Sequence, residues 1–136
     1  MNYHILMLEN QTIYSKLAFA QLSKYNLSMG QPKVLEYLLS NNGCIQKQIA
    51  ENCQIESASA TVLLSKMEKD GLIERKSLNN NRRCLHVYLT DMGRERALST
   101  KQILYNLDQY ALDGLSEDEI KTLLELLDKV NKNLKK

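Results

Sequence analysis

The sequence predicts a mainly α fold, six helices with one small β-hairpin between the fourth and the fifth. Three observations carry this. Apolar residues recur at three- and four-residue spacing through most of the chain, while Leu85, Val87 and Leu89 alternate with His86 and Tyr88 as a strand requires. The chain has 136 residues, 43% hydrophobic and 25% charged, with a single proline, which fits one ordinary soluble domain rich in helix. Helix start and stop signals then fall between the periodic stretches, at Ser28 with Gln31, at Gly71, at Thr90 and at Ser116 with Glu119.

Residues 2–25 read as a first helix with two neighbouring apolar stripes, Leu6, Ile13, Leu17 and Ala20 beside Met7, Tyr14, Ala18 and Tyr25. One core needs one stripe, so the second implies a second packing partner. Ser28 is expected to start the next helix, with Gln31 at capping-box spacing and Pro32 in the first turn, where its missing N–H costs little. Val34, Leu35, Leu38 and Leu39 make its buried stripe, and Asn41-Asn42-Gly43 ends it. Residues 46–53 form a short helix with Ile49 and Ala50 inward. Residues 57–70 form the next, stopped by Gly71. Residues 72–78 and 84–89 are two strands around Asn79-Asn80-Asn81, a turn because Asn tolerates left-handed conformations. Thr90 caps a long helix to about residue 112. Ser116 and Glu119 open the last, whose seam is Ile120, Leu123, Leu127, Val130 and Leu134, widened by Leu124 and Leu126.

Several functions are excluded or disfavoured. The net charge is only +2, so any attraction to nucleic acid must be local. The apolar run from Ile5 to Leu8 is far too short for a membrane span, and no Lys or Arg precedes it as a signal peptide needs. Cys44, Cys53 and Cys84 are odd in number and irregularly spaced, so they read as reduced cytosolic thiols and the chain as cytoplasmic. His4 and His86 are too few for a metal site and read as stray surface histidines. No Gly-rich phosphate loop, paired carboxylates or nucleophile–base motif is visible, so an enzyme is not expected, and no cofactor is implied.

The functional signal lies between residues 46 and 90. Helices 46–53 and 57–70 have the spacing of a helix-turn-helix, whose second helix enters the major groove. Ala60, Leu63, Leu64 and Met67 form the core face of that second helix. Its outer face carries Ala58, Val62, Ser65 and Lys69, flanked by Ser57, Ser59, Thr61 and Lys66. Small side chains let a helix approach base edges; Ser and Thr bond any base, and Ala, Val and Thr methyls meet thymine methyls. A plain exposed helix with low-cost surface residues would look similar. The hairpin tip shifts the balance: Asn79, Asn80, Asn81, Arg82 and Arg83, with Lys76 on the incoming strand, suit contact with phosphates or a minor groove. The competing explanation is a solvated turn with charges that guard an edge strand.

In these pieces the chain resembles the MarR family of winged helix-turn-helix regulators. The matching residues are Leu27-Ser28 with Gln31 and Val34-Leu35, then Gln46-Lys47-Gln48-Ile49-Ala50. They continue with Thr61, Leu64, Met67-Glu68 and Gly71-Leu72-Ile73-Glu74-Arg75, and end with Asn81-Arg82-Arg83 and Leu89-Thr90 with Gly93. The resemblance implies one domain in which residues 1–27 and 91–136 are dimerisation helices and residues 28–90 are the DNA-binding lobe. It further implies a homodimer on pseudo-palindromic double-stranded DNA, usually a repressor released by a small molecule or oxidant. Family pockets lie between the dimer helices and the DNA-binding lobe, where Tyr14, Tyr25, Tyr37 and Tyr105 are the candidates, although core packing explains tyrosines equally well.

Two departures stand out. The family commonly has an Asp where this chain has Asn81, two residues before the matching Arg83, so the ion pair that would hold the arginine becomes a neutral hydrogen bond. The hydroperoxide-sensing branch uses a cysteine in the first helix, and none precedes Cys44 here. Cys84, beside Arg83, is the thiol whose pKa a nearby cation would lower. The alternatives to an effector-released regulator are a thiol-based redox regulator and a winged-helix protein-interaction module that does not bind DNA.

Overall fold

The computed structural model describes residues 1–81 and 83–136 and divides into two compact units, residues 1–104 and 105–136. Among the described residues there are six α-helices, one 3-10 turn and one two-stranded sheet, the architecture expected from the sequence.

Helix α1, Tyr3–Leu22, starts where the Asn2 side chain accepts the Ile5 N–H. It buries only Ala18 and Leu22, which leaves Ile5, Leu6, Met7, Leu8, Ile13, Leu17 and Phe19 exposed. The expected 2–25 helix therefore stops early; Ser23–Tyr25 tighten into a 3-10 turn, and Asn26 takes a left-handed φ of 60°.

Helix α2, Gln31–Asn41, begins three residues later than expected. Gly30, at φ 88°, turns the chain into it, and only half of the expected capping box forms: Gln31 Oε1 accepts the Ser28 N–H at 3.1 Å. The Ser28 hydroxyl instead accepts from Lys66 Nζ. Helices α3, Gln46–Asn52, and α4, Ser57–Lys69, follow. The end of α4 is a Schellman closure: Gly71 at φ 81° sends its N–H to Glu68, and Leu72 sends its N–H to Met67.

Strands β1, Ile73–Ser77, and β2, Leu85–Leu89, pair antiparallel with Ile73 opposite Leu89 and Ser77 opposite Leu85. Val87 also exchanges backbone bonds with Gly43 and Cys44, and the Asn42 side chain accepts the Leu89 N–H. The hairpin is thus anchored to the chain between α2 and α3. Thr90 begins helix α5, Asp91–Ala111: its hydroxyl accepts the Gly93 N–H and donates to the Gly71 carbonyl. Gly93 is obligatory, because a Cβ there would run into the Leu72 carbonyl oxygen.

The core of the first unit comprises Val34, Leu35, Leu38, Ile49, Ala60, Leu64, Met67, Ile73, Val87 and Ala97, each at most 1% exposed. It binds α2, α3, α4 and the hairpin into a rigid platform, because one apolar stripe per element converges there. In the second unit, helix α6, Glu117–Leu134, starts with the expected capping box. Ser116 Oγ accepts the Glu119 N–H, and Glu119 Oε1 accepts the Ser116 N–H. Leu123, Leu124, Leu126 and Leu134 are exposed along α6. No helix among the described residues is long and apolar enough to cross a membrane.

Candidate nucleic-acid interface

Helix α4 has two faces, and burial separates them as the wheel requires. Ala60, Leu64 and Met67 are buried and Leu63 half-buried, while Ser57, Ala58, Ser59, Thr61, Val62, Ser65, Lys66 and Lys69 are exposed. Val62 is 72% exposed on this face. Met29, 84% exposed in the turn before α2, stands beside it. The two side a shallow groove of about 490 Å³ together with Ser28, Ala58, Ser59, Leu63 and Lys66. The Ser28–Gln31 spacing predicts the first turn of a helix here, which gives Met29 no distinct signal in the sequence.

The hydroxyls on this face are tied into a polar network. Arg75 Nη1 donates to Gln46 Oε1 at 3.3 Å, and Gln46 Nε2 donates to Thr61 Oγ1 at 3.3 Å. Thr61 Oγ1 in turn donates to the Ser57 carbonyl at 3.1 Å. Arg75 Nη2 donates to Ser65 Oγ at 3.3 Å and to Glu68 Oε1 at 3.0 Å, and the Arg75 backbone N–H reaches Glu68 Oε2. The Arg75 hydrogen bond holds the Glu68 carboxyl below the usual carboxylate range, a sign that the pair stays ionised. Gln46, Glu68 and Arg75 enter the sequence analysis as family-matching positions without a role in the site. The available signal was strand alternation: Arg75 lies two residues from buried Ile73, on its inward face, where an arginine needs partners.

At the wing tip, Asn79 and Asn80 take left-handed φ values of 57° and 58°, as a turn of asparagines allows. The Asn81 side chain accepts the backbone N–H of Arg83 at 3.1 Å. The neutral bond expected at Asn81 therefore goes to the main chain of Arg83. Arg83 is exposed, and Arg82 lies outside the described residues. Lys76 pairs with Glu74 at 3.6 Å and stands 5.3 Å from the centre of the Tyr88 ring, so its stem lies along the wing. Both ion-pair partners are exposed, and the link holds Lys76 only weakly.

Tyr37 lines an open groove of about 440 Å³ with Lys33, Cys53 and Lys101; Tyr14 is half-buried, and Tyr25 and Tyr105 are exposed. His86 Nδ1 is 2.8 Å from the Gly43 carbonyl, which fixes its proton there, so this histidine pins the hairpin instead of standing free on the surface; His4 is exposed. All three cysteines are free. Burial pushes the Cys53 thiol up to about 11 and that of Cys44 upward as well.

Comparison with known proteins identifies similar chains. Residues 27–85 match the sequence profile of the MarR family. The chain is 27% identical over 130 residues to the HTH-type transcriptional regulator BilQ of Clostridium symbiosum, covering 96% of this chain and 88% of the relative. It is 30% identical over 101 residues to the uncharacterized HTH-type transcriptional regulator YwhA of Bacillus subtilis, covering 71% and 70%. A MarR-family transcriptional regulator from Listeria monocytogenes, solved complexed with a 26mer DNA, superposes with a TM-score of 0.92 at 24% identity, over 98% of this chain and 89% of that one.

Proposed function

Because this chain belongs to the MarR family of helix-turn-helix transcriptional regulators, we propose that it binds duplex DNA sequence-specifically as a homodimer and represses transcription until a small molecule releases it. Members of the family are DNA-binding regulators, not enzymes. The observation that carries the reading is the outer face of α4, small and hydroxyl-bearing with Lys66 and Lys69 in its last turn, next to a wing tipped by Arg83. That face suits base edges in the major groove, and the wing suits phosphates or the minor groove alongside. Ser57, Ala58, Ser59, Thr61, Val62 and Ser65 are the base-facing set. Lys66, Lys69, Lys76, Asn79, Asn80, Asn81, Arg82 and Arg83 are the backbone-facing set. Met29 extends the apolar patch of Val62. The same fold in the Listeria protein accompanies DNA.

Residues 1–27 and 91–136 are the dimerisation arms in this reading. Its support is the exposed apolar surface of α1 and of α6, more than a soluble monomer normally leaves uncovered. A two-fold dimer sets DNA half-sites about one helical turn apart, roughly 34–36 Å. The effector site is proposed among the tyrosines, with Tyr37 the one that lines a groove. A redox mechanism through Cys53 is disfavoured, because a thiol pushed up to about 11 is almost wholly protonated near neutrality. The regulator is proposed to work in the cytoplasm. Sequencing the genomic DNA that the protein retains tests the reading. A recurring pseudo-palindrome, retarded as duplex at moderate salt, is the expected result. Retention without any sequence preference would refute it.

A further inference from the structure

We infer that Glu68 and Arg75 clamp the base of the wing to α4, with Arg75 the positioning residue, so that the wing tip and the outer face of α4 meet duplex DNA at one fixed spacing. This rests on the reading of α4 and the wing as the two DNA-contacting elements. Two such contacts add fully only when the protein holds them at the spacing the duplex requires. A wing that moves freely must lose that freedom on docking, and affinity falls accordingly.

The two strands of the wing are anchored differently. Strand β2 is held through its backbone, where Val87 exchanges hydrogen bonds with Gly43 and Cys44. A ribbon held on one edge at its base still tilts about that edge. Strand β1 supplies the second anchor at Arg75, the register partner of Val87, so the two anchors stand opposite each other. Ile73 is buried in the core, and Arg75 is the last residue of this strand that is not exposed; residues 76–81 are all exposed. Both Glu68 carboxylate oxygens are committed to Arg75. Oε2 accepts its backbone N–H at 3.1 Å, and Oε1 accepts from Nη2 at 3.0 Å. The guanidinium also reaches Ser65 on α4 and Gln46 on α3, each at 3.3 Å. One side chain thus ties β1 to both helices of the helix-turn-helix. Among the described residues this is the only ion pair that joins two elements: Lys76–Glu74 lies within β1 and Lys132–Asp128 within α6. The Arg75 side chain is only 16% exposed and its charge is met by Glu68, so it is poorly placed to take a phosphate itself. Its leverage is large. Asn79 lies four residues further on, about 13 Å of extended chain, so a tilt of about 5° at the clamp moves the tip by about 1 Å. A shift of that size stretches a hydrogen bond to a phosphate out of range.

The test is a double-mutant cycle on the affinity of the full-length protein for a duplex selected by the parent, followed by fluorescence anisotropy across a salt series. Arg75→Met, Arg75→Lys and Glu68→Gln are each made in the parent and in a background carrying Arg82→Ala with Arg83→Ala, and each is checked for folding by circular dichroism. In the parent, Arg75→Met should weaken binding about fivefold to tenfold, the size of a direct coupling. In the background without wing arginines it should weaken binding less than about twofold, because no tip contact remains to be misplaced. Arg75→Lys should not rescue, since an ammonium lacks the fork that reaches Glu68, Ser65 and Gln46 together. If Arg75→Met does not fold, Glu68→Gln reads the same pattern, a loss confined to the protein with its wing arginines. Four results overturn the inference. Equal losses in the two backgrounds mark a residue that supports the fold without placing the wing. Full rescue by Arg75→Lys marks a need for charge alone. A plot of log affinity against log salt flattened by about 0.9 per subunit in the background without wing arginines marks a phosphate contact by Arg75 itself. Parental affinity in Arg75→Met leaves the clamp without a role. A variant without wing arginines that binds like the parent removes the wing from DNA contact, and the inference with it. A parent that selects no duplex at all instead fails the DNA-binding reading before any variant is compared.

Discussion

The separation of α4 into a core face and an exposed face makes a paired prediction: Leu64→Ala should destabilise the protein without informing on DNA, and Val62→Ala should leave stability intact and alter DNA binding. Leu64 is fully buried. Truncation to alanine removes three carbons, worth about 0.8 kcal/mol each in transfer alone, and the cavity left in a packed core raises the loss to about 3–5 kcal/mol. For a domain of this size that corresponds to a fall in Tm on the order of 10 °C. Val62 is 72% exposed, so its truncation should alter stability by less than about 0.5 kcal/mol. If its methyls meet a thymine methyl or a base edge, affinity should drop by about 1 kcal/mol, or roughly fivefold, and the preference at one base pair should relax. Thermal melts by circular dichroism at one fixed protein concentration give the first quantity, since dimerisation would make Tm depend on concentration. Fluorescence anisotropy with a labelled operator gives the second. A Val62→Ala variant that melts as early as Leu64→Ala would refute the face assignment, as would one with parental affinity and site preference.

Four further outcomes are expected. Replacing Arg82 and Arg83 together by alanine should flatten the plot of log affinity against log salt by about 1–2 units per subunit, and an unchanged slope would remove the wing from DNA binding. Sedimentation at micromolar concentration should show a dimer, and a stable folded monomer of 15.6 kDa would contradict the dimer arms. Cys53, raised from 9.0 to about 11, should carry about a hundredfold less thiolate near neutrality than an ordinary thiol. It should alkylate correspondingly slowly with iodoacetamide, and because its unfolded form ionises first, stability should fall as pH climbs from about 9 to 11; rapid alkylation of Cys53 in the native protein would refute its burial. Gly93→Ala should cost about 1–3 kcal/mol or more, because the new Cβ meets the Leu72 carbonyl and either the Thr90 cap or the end of α4 must move; an unchanged melt would show that this junction is slack.

Much of the architecture was legible from local signals. The core stripe of α4, the stop at Gly71, the asparagine turn, the Thr90 cap and the Ser116–Glu119 box each depend on residues within about one helical turn, so short-range spacing was enough to find them. The outer face of α4 followed from the same periodicity, because a helix that buries Ala60, Leu64 and Met67 must expose Val62, Ser65 and Lys69. The start of α2 is not legible from such local spacing. Ser28 and Gln31 have capping-box spacing, but the Ser28 hydroxyl is engaged by Lys66, 38 residues away, and Gly30 turns the chain first.

The sequence by itself determined the elements, their inward faces and the family, because hydrophobic period and capping chemistry are local and the MarR motif spans contiguous residues. Only the tertiary structure decided the hydrogen-bonding of the outer face of α4. Arg75 reaches Gln46 across 29 residues and Ser65 across 10, and this long-range bonding occupies one lone pair of Ser65 and, through Gln46, one of Thr61. No pattern along the chain encodes these contacts; they depend on which donor the fold brings to each oxygen, and a guanidinium, having donors alone, turns the Gln46 amide oxygen toward itself.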